Sequence, residues 1–131
     1  MTPALIALAL SGLLLAAQLV LVAVLANRQI GPEYFLTPRD APPPSDLSQG
    51  AARLKRAYLN HVEAFPLFAA AVLVAELSGS TDTLTTACAF AYLAARLAFV
   101  PAYLYGWTPW RSVFFGVGFI ATLVIFVAAL V

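Results

Sequence analysis

The sequence contains few charged residues, and this scarcity excludes most water-soluble folds. Only 10% of its 131 residues are Asp, Glu, Lys or Arg, against about 25% in ordinary soluble domains. Hydrophobic residues make up 63%, more than a small soluble protein can bury, because its surface-to-volume ratio is high. The formal net charge is only +1, and no basic run is interleaved with aromatic residues, so no nucleic-acid partner is expected. The composition indicates an integral membrane protein in a lipid bilayer.

Cysteine and histidine are also scarce, with one residue of each. Cys88 has no partner for a disulfide within the chain, and its apolar neighbourhood is typical of a small packing residue. Since His61 is the only histidine, a histidine metal site is not expected. We therefore predict no metal.

Four apolar stretches are long enough to cross a bilayer, which takes about 20 residues of helix. We predict helices at about 4–26, 54–77, 84–105 and 111–131. A proline-rich loop at 27–53 separates the first two, since proline fixes φ and lacks a backbone donor. Short connections between the others predict one membrane domain, residues 1–131, folded as an all-α, up-down four-helix bundle.

The basic residues of the connections predict the orientation. The 27–53 loop and the start of the second span carry Arg and Lys, whereas the loop between the second and third spans and the N-terminal tail carry none. Because cytoplasmic loops are enriched in Lys and Arg, we expect this loop in the cytoplasm and both termini outside.

The second span carries a polar stripe. Arg56, Asn60 and Glu63 lie at i, i+4 and i+7, so a helix places them on one face. Arg53, three residues earlier, has a similar bearing. Charges inside a membrane are costly and usually functional. A guanidinium can hold a carboxylate through two hydrogen bonds, and a carboxylate can accept from an ammonium, so the stripe suits a zwitterionic ligand.

The third span carries a further intramembrane charge, Arg96, in a helical pattern that also includes Tyr103. Glu63 and Arg96 both lie roughly 13 Å from the same membrane face at 1.5 Å per residue. Two interpretations of Arg96 stay open. It pairs with Glu63 and joins two helices, or it contacts a ligand.

The second-span segment RAYLNHVEAFP, residues 56–66, resembles the R-A-x-x-N-x-x-E-x-x-P signature of the MAPEG family, the membrane-associated proteins in eicosanoid and glutathione metabolism. The segment from Ala95 to Tyr103 and the later Arg111 are similar to that family's third- and fourth-helix patterns. The resemblance covers about residues 53–111 and is greatest to the bacterial branch.

The resemblance implies a homotrimer that binds glutathione between subunits near the cytoplasmic side, in a bacterial inner membrane. Arg111 would be catalytic and stabilise the glutathione thiolate, since a nearby cation lowers a thiol pKa. The substrate would be a hydrophobic electrophile, and the activity that of a transferase or peroxidase. The residues implied to bind glutathione are Arg53, Arg56, Asn60, Glu63, Tyr103 and Arg96.

A second interpretation is a non-catalytic protein of the same fold, either a scaffold or an accessory subunit of a larger membrane complex. Ala64 follows the motif glutamate where the best-known members carry Tyr, and the chain has almost no soluble surface. A channel or transporter is less well supported, because the sequence shows no pair of discontinuous helices.

Overall fold

The fold is an all-helical bundle, described here by a computed structural model that covers residues 1–131. The helices are α1 (Pro3–Ile30), the short α2 (Pro32–Phe35), α3 (Gln49–Leu77), α4 (Thr83–Leu104) and α5 (Trp110–Leu130). Four of them, α1, α3, α4 and α5, are long and apolar enough to cross a membrane. The predicted four-helix membrane bundle is confirmed.

The predicted 27–53 loop is too long at both ends. α1 continues to Ile30 and ends at Gly31, whose φ of 104° suits glycine. α3 begins at Gln49, because the Ser48 side chain accepts a hydrogen bond from the Ala51 backbone N–H and caps the helix. Apolar residues alone defined the predicted spans, whereas these helices continue past their apolar stretches into polar sequence.

The helices are arranged around the bundle in the order α1, α3, α5, α4, so α1 and α5 occupy opposite corners and do not touch. α3 and α4 also pack against each other across the centre. The surface where α3, α4 and α5 meet therefore faces away from α1, although α1 packs against both α3 and α4.

The two halves of the bundle differ in chemistry. The apolar core lies in the half distal to the 36–48 loop, and six of its ten residues are alanine. Small residues let helices approach closely, which is the main source of packing energy when lipid is as apolar as the core. Phe68 and Tyr92 fill its centre with rings stacked at 3.7 Å. The polar residues of α3 up to Glu63, and the start of α5, lie in the other half, here called the loop-side half.

Candidate functional site

A cleft opens in the loop-side half where α3, α4 and α5 meet. Its volume is about 240 Å³, and it is lined by Asn60, Phe99, Tyr103, Arg111, Ser112 and Phe115. We call it the polar cleft. Each of the three helices supplies at least one polar group to it, so its shape depends on the packing of the bundle.

Two arginines from different helices meet at Tyr103. The guanidinium carbon of Arg56 on α3 lies 5.8 Å from the centre of the Tyr103 ring, and that of Arg111 on α5 lies 5.1 Å from it. Cations are attracted to the face of an aromatic ring at such distances. Neither guanidinium forms an ion pair within the chain, and both residues are exposed. Tyr103, a lining residue of the polar cleft, thus lies beside two positive charges that are available to an anionic group.

Arg96 lies behind the polar cleft and is only 2% exposed. Its Nη1 donates to Asn60 Oδ1 at 2.7 Å. Three rings, those of Tyr92, Phe99 and Phe115, lie between 5.2 and 5.6 Å from the guanidinium carbon. A carbonyl oxygen and aromatic faces therefore compensate this buried charge.

The hydrogen bond between Arg96 and Asn60 should couple α3 to α4. We expect a double-mutant cycle of Asn60→Leu and Arg96→Met to give a coupling energy of about 1–2 kcal/mol, at the upper end for bonds between membrane helices because one partner is charged. The coupling energy is calculated from the free energies of unfolding of the four proteins in bicelles. A control cycle of Asn60→Leu with the distant Arg28→Met should be additive. Additivity in the Arg96 cycle as well would show that the contact contributes nothing to stability.

Glu63 and Arg96 do not form the ion pair that their equal depth allowed. Arg96 bonds to Asn60 instead, and Glu63 is exposed on the outer face of α3 without an intrachain partner. Equal depth fixes only the height of two residues along the bundle. Their rotation about the helix axes decides whether they meet, and here it separates them.

Arg53 contacts the end of α4 and does not line the polar cleft. Its Nη1 donates to the backbone carbonyl of Leu104 at 3.1 Å, one of the last carbonyls of the helix, which lack intrahelical partners. A cation is also favourable at a helix C-terminus. Within the single chain, Arg53 therefore acts as a cap for α4.

Three lining residues of the polar cleft, Phe99, Ser112 and Phe115, were not among the predicted site residues. Phe115 lies four residues after Arg111, so one face of α5 carries both. A contact behind the cleft was also missed. His61, 1% exposed, is hydrogen-bonded through Nδ1 to Gln18 Oε1 at 2.5 Å. The lone polar residue in the middle of α1, Gln18, was a signal for such a partner, since buried polar groups need one.

Segment 56–66, which carries the signature, contains both Arg56 and Asn60. The sequence profile of the MAPEG family matches residues 4–131, essentially the whole chain. The chain belongs to the MAPEG family. None of the curated proteins matches the sequence.

Membership in the MAPEG family accounts for the four membrane-spanning helices and makes this an integral, multi-pass membrane protein of a family associated with glutathione and eicosanoid metabolism. The match extends beyond the 53–111 region of the predicted resemblance to α1 and the end of α5. The polar cleft lies within the matched residues.

Proposed function

We propose that the protein is a membrane-bound, glutathione-dependent transferase or peroxidase acting on hydrophobic electrophiles. The observation that supports this most is the meeting of Arg56 and Arg111 at Tyr103, with Asn60 beside them and no carboxylate paired to either guanidinium. Glutathione carries two carboxylates, one ammonium group and a thiol, and it is anionic at neutral pH. Its charges suit two unpaired arginines and one unpaired glutamate.

In this proposal, different residues bind different groups of glutathione. Arg56 holds a carboxylate of glutathione through its planar fork, and Glu63 accepts from the ammonium. Arg111 lies near the thiol and lowers its pKa by favouring the charged form. The thiolate sulfur then bonds to an electrophilic carbon, whose leaving group departs with the bonding electron pair. The electrophile arrives from the surrounding lipid.

A single chain makes only part of such a site. The volume of the polar cleft, about 240 Å³, is below the usual range of about 300–1,000 Å³ for ligand sites. Glu63 is exposed in the middle of a spanning helix, where contact with lipid is costly. We propose that a second copy of the chain covers Glu63 and completes the site. The family resemblance suggests a homotrimer.

The charges also support an orientation. The basic residues of the chain, apart from the buried Arg96, lie at the loop-side ends of the helices or in the loops there, and the turn between α3 and α4 has none. We therefore propose that the polar cleft opens to the cytoplasm, with both termini outside. The resemblance to the bacterial branch of the family suggests a bacterial inner membrane.

Turnover tests this function. The purified protein in nanodiscs is incubated with glutathione and a panel of lipid-soluble electrophiles and hydroperoxides, and mass spectrometry identifies the products. We expect glutathione conjugates, or glutathione disulfide with the reduced alcohol, at rates well above those with empty nanodiscs. Glutathione binding without turnover of any panel member would contradict the enzyme and favour the accessory-subunit interpretation.

A further inference from the structure

A second cleft, of about 620 Å³, lies between the loop-side end of α1 and the segment that follows it. It shares no lining residue with the polar cleft. α1 supplies its apolar wall, including Leu19, Val22 and Ala23, whereas Arg39 and Lys55 supply its charges. We call it the loop cleft. None of the residues assigned to glutathione lines it.

The loop cleft extends across the edge of the membrane. Its lining on α1 runs from Leu19 to Ile30, which is roughly 16 Å at 1.5 Å per residue. The apolar part, from Leu19 to Ala26, is roughly 10 Å, about a third of a hydrocarbon core of about 30 Å. The first polar residues at this end of α1, Asn27 and Arg28, mark the interface. The apolar wall is therefore at the depth of acyl chains, and the two cations are at the depth of lipid headgroups.

The lining of the loop cleft carries a net positive charge. Arg39 and Lys55 are its only charged lining residues, and neither forms an ion pair within the chain. The Arg39 guanidinium carbon lies 5.0 Å from the centre of the Phe35 ring. Arg39 is also the only non-glycine residue with a positive φ, 62°. This strained conformation persists only where the surrounding structure fixes it, and such residues cluster at ligand contacts.

Hydrogen bonds hold the loop against α1 and pre-form the cleft. Gln29, near the end of α1, accepts from the Ser48 backbone N–H at 2.8 Å through Oε1 and donates to Ser48 Oγ at 3.1 Å. Ser45 Oγ donates to the Gln29 carbonyl at 2.8 Å. Tyr34 Oη donates to the Ala41 carbonyl at 3.0 Å. The loop thus returns to α1 and encloses the space between them.

We propose that the loop cleft binds one anionic phospholipid, with an acyl chain along α1 and the phosphate held by Arg39 and Lys55. Two cations without carboxylates favour a headgroup of net negative charge over a zwitterionic one, whose own ammonium they would repel. The proposal is independent of glutathione, because none of the residues that line the loop cleft is assigned to that ligand.

Native mass spectrometry of the purified full-length protein tests the proposal, with titration by phosphatidylglycerol or phosphatidylcholine of identical acyl chains. We expect phosphatidylglycerol to bind more tightly. Arg39→Gln and Lys55→Gln should each weaken its binding about fivefold, and together about 25-fold. Arg28→Gln is the matched control, since it removes an exposed charge at the same end of α1 but outside the cleft, and it should change nothing.

A second pair of variants tests the acyl-chain wall without altering charge. Ala23→Trp fills the loop cleft and should abolish preferential binding, whereas Ala17→Trp, an exposed alanine on another face of α1, should retain it. Inorganic phosphate should not displace the lipid. Equal binding of the two lipids, equal losses in Arg28→Gln and Arg39→Gln, or displacement by phosphate would each overturn the proposal. The last result would indicate a site for a free anion.

Discussion

Replacement of Arg111 by alanine is expected to lower glutathione-dependent turnover about 100- to 1,000-fold, the usual effect of removing one group that stabilises charge in a reaction. The dissociation constant of glutathione should change little, because the proposal assigns the charged groups of the peptide to Arg56 and Glu63. The physical reason is the thiol pKa, which rises when the nearby cation is removed. The ultraviolet absorbance of the thiolate, followed against pH, measures it directly.

Arg111→Lys is the matched control for this variant. Lysine keeps a positive charge at the position but loses the planar guanidinium, so part of the thiolate stabilisation and of the turnover should return. Unchanged turnover in Arg111→Ala would refute the assigned role. A loss of binding as large as the loss of turnover would instead make Arg111 a simple ligand-holding residue.

Arg56→Gln is expected to weaken glutathione binding about 10- to 100-fold, equivalent to about 1.4–2.7 kcal/mol for a charge-assisted contact. Its guanidinium lies over Tyr103 without an ion-pair partner, so its loss removes no intrachain hydrogen bond and should lower the free energy of unfolding by no more than about 0.5 kcal/mol, the value of a weak, exposed cation–π contact. Isothermal titration calorimetry gives the affinity, and thermal unfolding without ligand gives the stability.

Arg53→Gln is the control for Arg56→Gln, with the same substitution one turn earlier on α3. Arg53 donates to the Leu104 carbonyl. We therefore expect the Arg53→Gln substitution to lower the free energy of unfolding by about 1 kcal/mol and to leave glutathione affinity unchanged. The reverse pattern, with affinity dependent on Arg53 and not on Arg56, would mean that the ligand binds beyond the end of α4 and not in the polar cleft.

Sequence periodicity and apolar length predicted the membrane bundle because both depend on local chemistry. A run of about 20 apolar residues has few alternatives to a spanning helix. The loop was harder to delimit, since the first residues of α3 are amphipathic and its start depends on the Ser48 cap. The bonds of Gln29 to Ser45 and Ser48 join residues 16 and 19 positions apart, which no local pattern indicates.

The candidate site was predictable only as separate parts. Spacing along α3 placed Arg56 and Asn60 on one face, and the family signature added Tyr103 and Arg111. Partner choice was not predictable, because the packing of α3 against α4 turns Asn60 towards Arg96 and leaves Glu63 outside. The outward position of Glu63 supports the proposal that a second copy of the chain covers it, since an exposed carboxylate in a spanning helix is costly.

The distribution of polarity links the fold to the proposed activity. The alanine-rich core packs α1, α3, α4 and α5 tightly in one half of the bundle. In the other half, aromatic and polar side chains of α3, α4 and α5 line the polar cleft. Because the same three helices supply both the apolar core and the cleft, packing of the core fixes where the cleft residues lie.

The most direct test of the central claim, that the polar cleft binds glutathione, is a calorimetric titration of the purified wild-type protein with glutathione, combined with thermal unfolding. We expect saturable heat and an unfolding midpoint that rises with glutathione concentration, because a ligand that binds only the folded state stabilises it. The absence of both heat and a shift at up to millimolar glutathione would contradict the claim. Arg56, Glu63 and Arg111 would then serve a different ligand.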